Sequence, residues 1–335
     1  MDDMIFLPYP LEEESPSSIL KRFALGHGCE CPAQLQDFTF MINLNKSEMT
    51  ICSPLVQWIA ARAGRDAQRF LAGFYIPLVR EGKHGPFEIN GTIVPSKFIR
   101  RGPVAFCSQC WDERHERYIK DISLTECCPY HHRRYIHECP ACHHKLYWIS
   151  ALNGRCACGH VFVSEACSDD DVYSERYLLE TIRNQDSSAL SKLKMLLLEL
   201  GYCYNRGGDS EERKVVLNAA AGIMRGQRQY IDEYLHYQTK KYPHIPLSYI
   251  QAKLRHINEP VIKTSLEQFR MDHTPAPSLP APSFVDPPEF ELSRAQLVRI
   301  SRHSMKELKN CQRTLDFHGQ GTVYARYLID ILCHY

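Results

Sequence analysis

The chain has 335 residues, 44% hydrophobic and 24% charged, enough to bury a substantial core and to form two or three domains. Forty Lys+Arg against thirty-nine Asp+Glu leave a formal charge of +1, which excludes an overall basic field, so nucleic-acid contact has to come from a local patch. The acidic opening "MDDMIFLPYPLEEESP" argues against a signal peptide, no apolar run approaches membrane-spanning length, and fifteen cysteines, an odd number with several in close pairs, fit cytosolic metal binding better than disulfides.

In chain order, "ESPSSILKRFALGHG" at 14–28 predicts a helix with Ser15 as N-cap, Pro16 at the first helical position, Ile19, Leu20 and Phe23 on the buried face, and Gly26 and Gly28 as stop signals. Helical patterns at 32–43, 53–63 and 65–74, joined by short turns, suit a small bundle with a helix-turn-helix. Residues 75–104 read as irregular connection with a hairpin around "EINGTIV". Beyond 165 helices take over, at 173–184, 188–205, 211–227 and 227–242, then in "PLSYIQAKLRHI" and "EPVIKTSLEQFRM". "TPAPSLPAPSFVDPP" at 274–288 is a proline-rich, semi-rigid linker, and two short helices around a "RHS" turn follow it.

Ligand pairs dominate 105–165. The spacing runs Cys107-x₂-Cys110, seventeen residues, Cys128-x₂-His131, seven residues, Cys139-x₂-Cys142, thirteen residues, Cys156-x-Cys158. Each pair suits a tight knuckle that brings two donors to one tetrahedral ion, so four pairs predict two zinc ions per chain, both structural, because thiolate-rich four-ligand sites lack the open position of a catalytic zinc. The simplest pairing is sequential, and a cross-braced arrangement stays open. Cys127 competes with its neighbour, but Cys128 alone gives the Cys-Pro-x-His knuckle. With both shells full, His132, His137, His143, His144 and His160 read as solvated or supporting groups, and Cys29, Cys31, Cys52, Cys167, Cys203, Cys311 and Cys333 as core or free thiols.

The block "FCSQCW…ECCPYHHRRYIHECPACHHKL…RCACGH" resembles the zinc-binding block of the TniQ/TnsD family of transposition proteins. The N-terminus agrees independently, since the family's E-S-x-x-S-x-x-x-R-x-A helix is matched by Glu14, Ser15, Ser18, Arg22 and Ala24. The resemblance is specific over roughly 5–165. Three departures stand out: Ser108 where proline is usual, His132 where glycine is usual, and no counterpart near Ile119–Ser123 of a frequent tryptophan.

What the resemblance implies is a non-catalytic adaptor in the bacterial cytoplasm. Similar proteins bridge a target-recognition element to an AAA+ ATPase regulator of the TnsC type, which recruits the transposase. Shorter TniQ members bind a Cascade-like guide-RNA surveillance complex, often as a homodimer, whereas TnsD-type members read a DNA attachment site directly. At 335 residues the chain is nearer the shorter type. In the C-terminal unit, Arg302, Lys306, Lys309 and Arg313 are candidate nucleic-acid contacts, weighed evenly against a solvated basic face, as are Arg62, Arg65, Arg69, Arg80 and Lys83 near the N-terminus against a protein contact.

Enzymatic readings have little support. There is no phosphate-cradling G-x-x-x-x-G-K-[ST] and no H-E-x-x-H, so a zinc metallohydrolase is the weakest alternative and no catalytic residue is assigned. The expected fold is mainly α: a helix-turn-helix domain at 1–104, a double zinc-finger or ribbon module at 105–167, a helical domain at 168–273, the linker at 274–288, and a small helix-turn-helix-like unit at 289–335.

Overall fold

A computed structural model describes residues 6–29, 34–35, 50–78, 85–100, 103–147, 154–202, 204, 210–241, 254, 257 and 259–272. The helices expected at 32–43 and in "PLSYIQAKLRHI" lie mostly outside these residues. The linker, the C-terminal unit with Arg302, Lys306, Lys309 and Arg313, and the cations Arg80 and Lys83 lie wholly outside them. Packing groups 1–274 as one compact unit and 275–335 as another. The described part is mainly α, with one three-stranded and one two-stranded sheet.

Helix α1 (Pro16–Gly26) starts where the sequence predicts. The Ser15 side chain accepts the Ser18 N–H, Pro16 occupies the first turn, and Ile19, Leu20, Phe23 and Ala24 are buried. Helix α2 (Pro54–Arg62) is followed by a 3₁₀ turn at Gly64–Asp66 and by α3 (Ala67–Leu71). The helix expected over 65–74 is thus shorter. Its chain turns at Gly73, where an added Cβ would collide with Ile19 and Pro10, so close approach of the N-terminal segment ends it.

Strands β1 (Ile76–Pro77), β2 (Phe87–Ile89) and β3 (Thr92–Val94) form an antiparallel sheet. Asn90 and Gly91 join the last two with φ of 51° and 75°, the two left-handed positions that a type I′ hairpin demands. Helix α4 (Ser108–Asp112) and the hairpin of β4 (Cys127–Cys128) and β5 (Arg133–Arg134) lie in the ligand-rich block. Then come α5 (Tyr173–Arg183), α6 (Ser187–Glu199), α7 (Ser210–Arg225), α8 (Arg228–Lys241) and α9 (Pro260–Asp272). Glycines with positive φ, Gly201 and Gly226, follow α6 and α7, which is why both end short of their sequence patterns.

Two cores each draw on distant stretches of chain. One packs α1, α2 and α3 against Val104, Phe106, Trp111, Leu146 and Phe162, and includes Cys139 and Cys156. The other packs the β2–β3 hairpin and residues 98–99 and 118–124 against α5 to α9. Cys107, Cys110 and Cys128 sit in a third, small cluster with Ala105 and Tyr135.

A buried polar network ties α1 to residues 116–121. Lys21 Nζ donates to Glu116 Oε2 at 2.7 Å, and Lys120 Nζ donates to Ser17 Oγ at 2.7 Å and to Asp121 at 3.1 Å. The Glu14 carboxylate accepts from the Ser18 hydroxyl, the Arg22 guanidinium and the Leu11 N–H. The E-S-x-x-S-x-x-x-R pattern is therefore a structural clasp around the start of α1.

Candidate metal centres

The structure brings the eight ligand candidates together as two groups in sequential order: Cys107, Cys110, Cys128 and His131, then Cys139, Cys142, Cys156 and Cys158, with all donor atoms of each group within 4.8 Å of one another. In the first, Cys110 Sγ lies 3.6 Å from Cys128 Sγ, and His131 Nδ1 lies 3.7, 3.3 and 3.6 Å from the sulfurs of Cys107, Cys110 and Cys128. In the second, Cys139 and Cys158 are 3.7 Å apart and Cys142 and Cys156 3.5 Å apart. A tetrahedron with Zn–S bonds of about 2.3 Å has edges of about 3.8 Å. Both clusters therefore have the size and the donor chemistry that zinc takes.

Local folding sets these positions. Cys107 precedes α4 as its N-cap residue, so Cys110 lies one turn on, and β4 delivers Cys128 to the turn that carries His131. Hydrogen bonds from Cys107 and Cys110 hold the Cys128 thiol down, to about 2, against burial and with help from the N–H groups of His131 and Tyr130. Hydrogen bonds with Cys107 and Cys128, reinforced by burial, push Cys110 far up. Three sulfurs this close cannot all carry charge without a cation, and a divalent ion removes that conflict. In the second group desolvation works against the Cys139 thiolate, but the N–H groups of Cys142 and Ala141 prevail and lower it to about 6.

Each Cys-Pro-x-Cys/His knuckle ends in a left-handed residue, His132 (φ 51°) after His131 and His143 (φ 57°) after Cys142, and Gly159 (φ 91°) follows Cys158. The glycine usual at 132 needs no explanation beyond this backbone. His132 holds the same conformation with its ring against Arg176 Nη2 at 2.7 Å and Asp169 at 3.3 Å. The departure at Ser108 is equally local: its N–H donates to Ser164 Oγ at 3.0 Å, a bond that proline cannot make, and its hydroxyl accepts the Ser164 N–H in return.

Glu113 was not among the residues singled out in the sequence. Its Oε1 lies 2.7 Å from His131 Nε2, the nitrogen turned away from the sulfurs. Against desolvation, hydrogen bonds from His131 and Arg117 hold its carboxyl below the usual range. Such a carboxylate fixes the imidazole tautomer and orientation at a metal site. The available signal was helical spacing, since Cys107, Cys110 and Glu113 recur every three residues along one face.

Cys167, read as a core or free thiol, is a free thiol with a close neighbour: Cys127 Sγ, also a free thiol, lies 2.6 Å from its sulfur, forty residues apart in sequence. The reason is a bridge between Arg133 and Ala166 and the Cys167 N–H to His132 carbonyl bond, which lay residues 165–167 along the β4–β5 hairpin. His137, His143 and His160 stand outside both donor groups, facing Val104 and Glu126, Glu138, and Phe162 respectively. Residues 132–138, between the two donor groups, are tied to their neighbours: Phe106 and Ile136 exchange both backbone hydrogen bonds, and Leu146 N–H donates to the His137 carbonyl.

Residues 5–134, which span α1 through the first donor group, match the TniQ family. Residues 5–134 thus carry a TniQ domain. TniQ proteins are transposition accessory proteins that act in target selection. No curated protein matches the chain. Among the described residues no helix is long and apolar enough to cross a membrane.

Proposed function

We propose that this protein is a non-catalytic adaptor in transposon target-site selection, linking a guide-RNA surveillance complex to an AAA+ ATPase regulator and hence to the transposase. The observation that carries the reading is the family match over 5–134. Two structural zinc ions fit beside it, one held by Cys107, Cys110, Cys128 and His131 and the other by Cys139, Cys142, Cys156 and Cys158. When bound, zinc supplies folding free energy and fixes the angle between elements, and four protein donors per ion leave no place for a hydrolytic water. Hydrolytic chemistry therefore has nothing to rest on in these donor sets.

Co-purification from cells that express the neighbouring transposition and CRISPR components, with analysis of co-eluting RNA and DNA, tests the reading. Guide RNA and the ATPase in the eluate support it. A unique DNA footprint given by the isolated chain without RNA replaces it with direct attachment-site reading. Metal analysis runs in parallel, and fewer than two zinc ions per chain ends the double-site proposal.

A further inference from the structure

Arg62, Arg65 and Arg69, at the end of α2, in the 3₁₀ turn and on α3, are all exposed. None of them has a carboxylate partner among the described residues, whereas Arg22, Arg117, Arg183, Arg213 and Arg228 are each paired with Glu or Asp. Aromatic rings hold two of the three instead. The Arg62 guanidinium lies 4.0 Å from the Trp58 ring centroid and the Arg69 guanidinium 3.9 Å from that of Tyr9. Stacking covers one plane of each guanidinium, and although Arg62 Nη1 also donates to the Trp58 carbonyl at 3.3 Å, the other N–H groups of Arg62 stay open to a phosphate.

The platform under Arg69 is itself fixed. Arg22, held by Glu14, donates Nη2 to the Tyr9 carbonyl at 2.7 Å, so the clasp at the start of α1 also positions the ring beneath Arg69. Asp66 is the single acid between Cys52 and Ala72. With 40 cations against 39 anions in the whole chain, such a patch is a local concentration and not a sample of the average.

We infer that Arg62, Arg65 and Arg69 form a contact surface for the phosphate backbone of duplex DNA, independent of base sequence. Arg, Trp and Tyr also anchor protein interfaces and Tyr9 is 38% exposed, but three cations around the single acid Asp66 match a polyanion better than an apolar protein face. Base reading fits less well too: α3 has five residues, too short to lay several side chains along a major groove. The surface would hold the target duplex while selection is made elsewhere. It rests on the adaptor reading only for that purpose, since binding is measured on the isolated chain.

The test uses the full zinc-loaded chain and a fluorescent duplex of arbitrary sequence, with affinity measured over a series of salt concentrations. Arg62→Gln, Arg65→Gln and Arg69→Gln should each lower the slope of log K against log[salt] by about 0.9, and a second duplex sequence should behave the same. The triple Lys variant should keep most of the slope, which separates charge from folding. Lys263→Gln, an exposed cation on α9, should leave the slope unchanged. Unaltered binding in the Gln variants, an equal loss in Lys263→Gln, or tighter binding of single-stranded RNA that is lost in the same variants would each overturn the proposal. Guide RNA and ATPase co-purifying with a Gln variant whose slope is unchanged would leave the adaptor reading standing without this surface.

Discussion

His131 Nε2 lies 2.7 Å from Glu113 Oε1 while the opposite ring nitrogen faces three cysteine sulfurs. The contact sets which nitrogen is free to bind a metal. Glu113→Gln keeps an acceptor but removes the charge that favours the Nε2 proton, so the first site should lose about tenfold in zinc affinity, at the low end of the range for such partners because Glu113 is 46% exposed. Competition with a chromogenic chelator would show one weakened and one unchanged site. Two unchanged sites would reduce Glu113 to a surface ion pair.

Cys127 and Cys128 are adjacent, and both are buried. Only Cys128 faces the donor group, whereas Cys127 faces Cys167. Cys128→Ser should therefore remove one zinc per chain and destabilise the protein, and Cys127→Ser should keep the full complement with a milder loss of stability. Zinc analysis of the two purified variants checks this. The reverse pattern would mean that Cys127 is the ligand.

The two four-residue clusters were legible in the sequence as four close pairs because a knuckle is a local object, with both side chains and the intervening turn inside a few residues. α1 was legible for the same reason: Ser15 and Pro16 act within one turn of the residues they cap. What lay beyond sequence reasoning depends on contacts between distant segments. Lys21 looks like a solvated helix residue until Glu116, ninety-five positions on, meets it in the core. Cys167 looks solitary until the hairpin brings Cys127 beside it, and α3 looks longer until Gly73 is packed on Ile19 and Pro10. His132 shows the intermediate case, in which the departure from glycine was visible but its meaning, a left-handed backbone, was not.

The Lys21–Glu116 pair is almost wholly buried, 1% exposed on each side, and Glu116 Oε1 has no hydrogen-bond partner. Burial lowers the Lys21 pKa even with Glu116 alongside. Glu116→Gln leaves a buried cation without its counter-charge and should cost about 3–5 kcal/mol, whereas Lys21→Met with Glu116→Leu removes both charges and should come close to wild type. Denaturant unfolding of the three proteins measures the difference. A double variant as unstable as the single would show that the pair itself, and not the orphaned charge, carries the stability.

Glu175 is buried beside β4, where its carboxylate accepts the N–H groups of Glu126 and Cys127 and the Ser174 hydroxyl. Burial, the largest influence, raises its pKa to about 7 despite those bonds, and Arg134, Asp171, Arg213 and Lys214 line the same small cavity. An acid whose folded pKa lies above its unfolded value of 4.5 holds a proton in the native state that the unfolded chain has released. Stability from this group is therefore lost as pH rises through that window, by about 1.4 kcal/mol per pH unit, and levels off above it. Glu175→Gln retains an oxygen for the same donors and cannot ionise. The stability difference between variant and wild type should thus grow in the variant's favour from about pH 4.5 to about pH 7 and then stay constant. Taking the difference cancels any acid-driven loss of zinc common to both proteins. A difference that does not change with pH would mean that Glu175 is ionised throughout, stabilised by the cations lining the cavity.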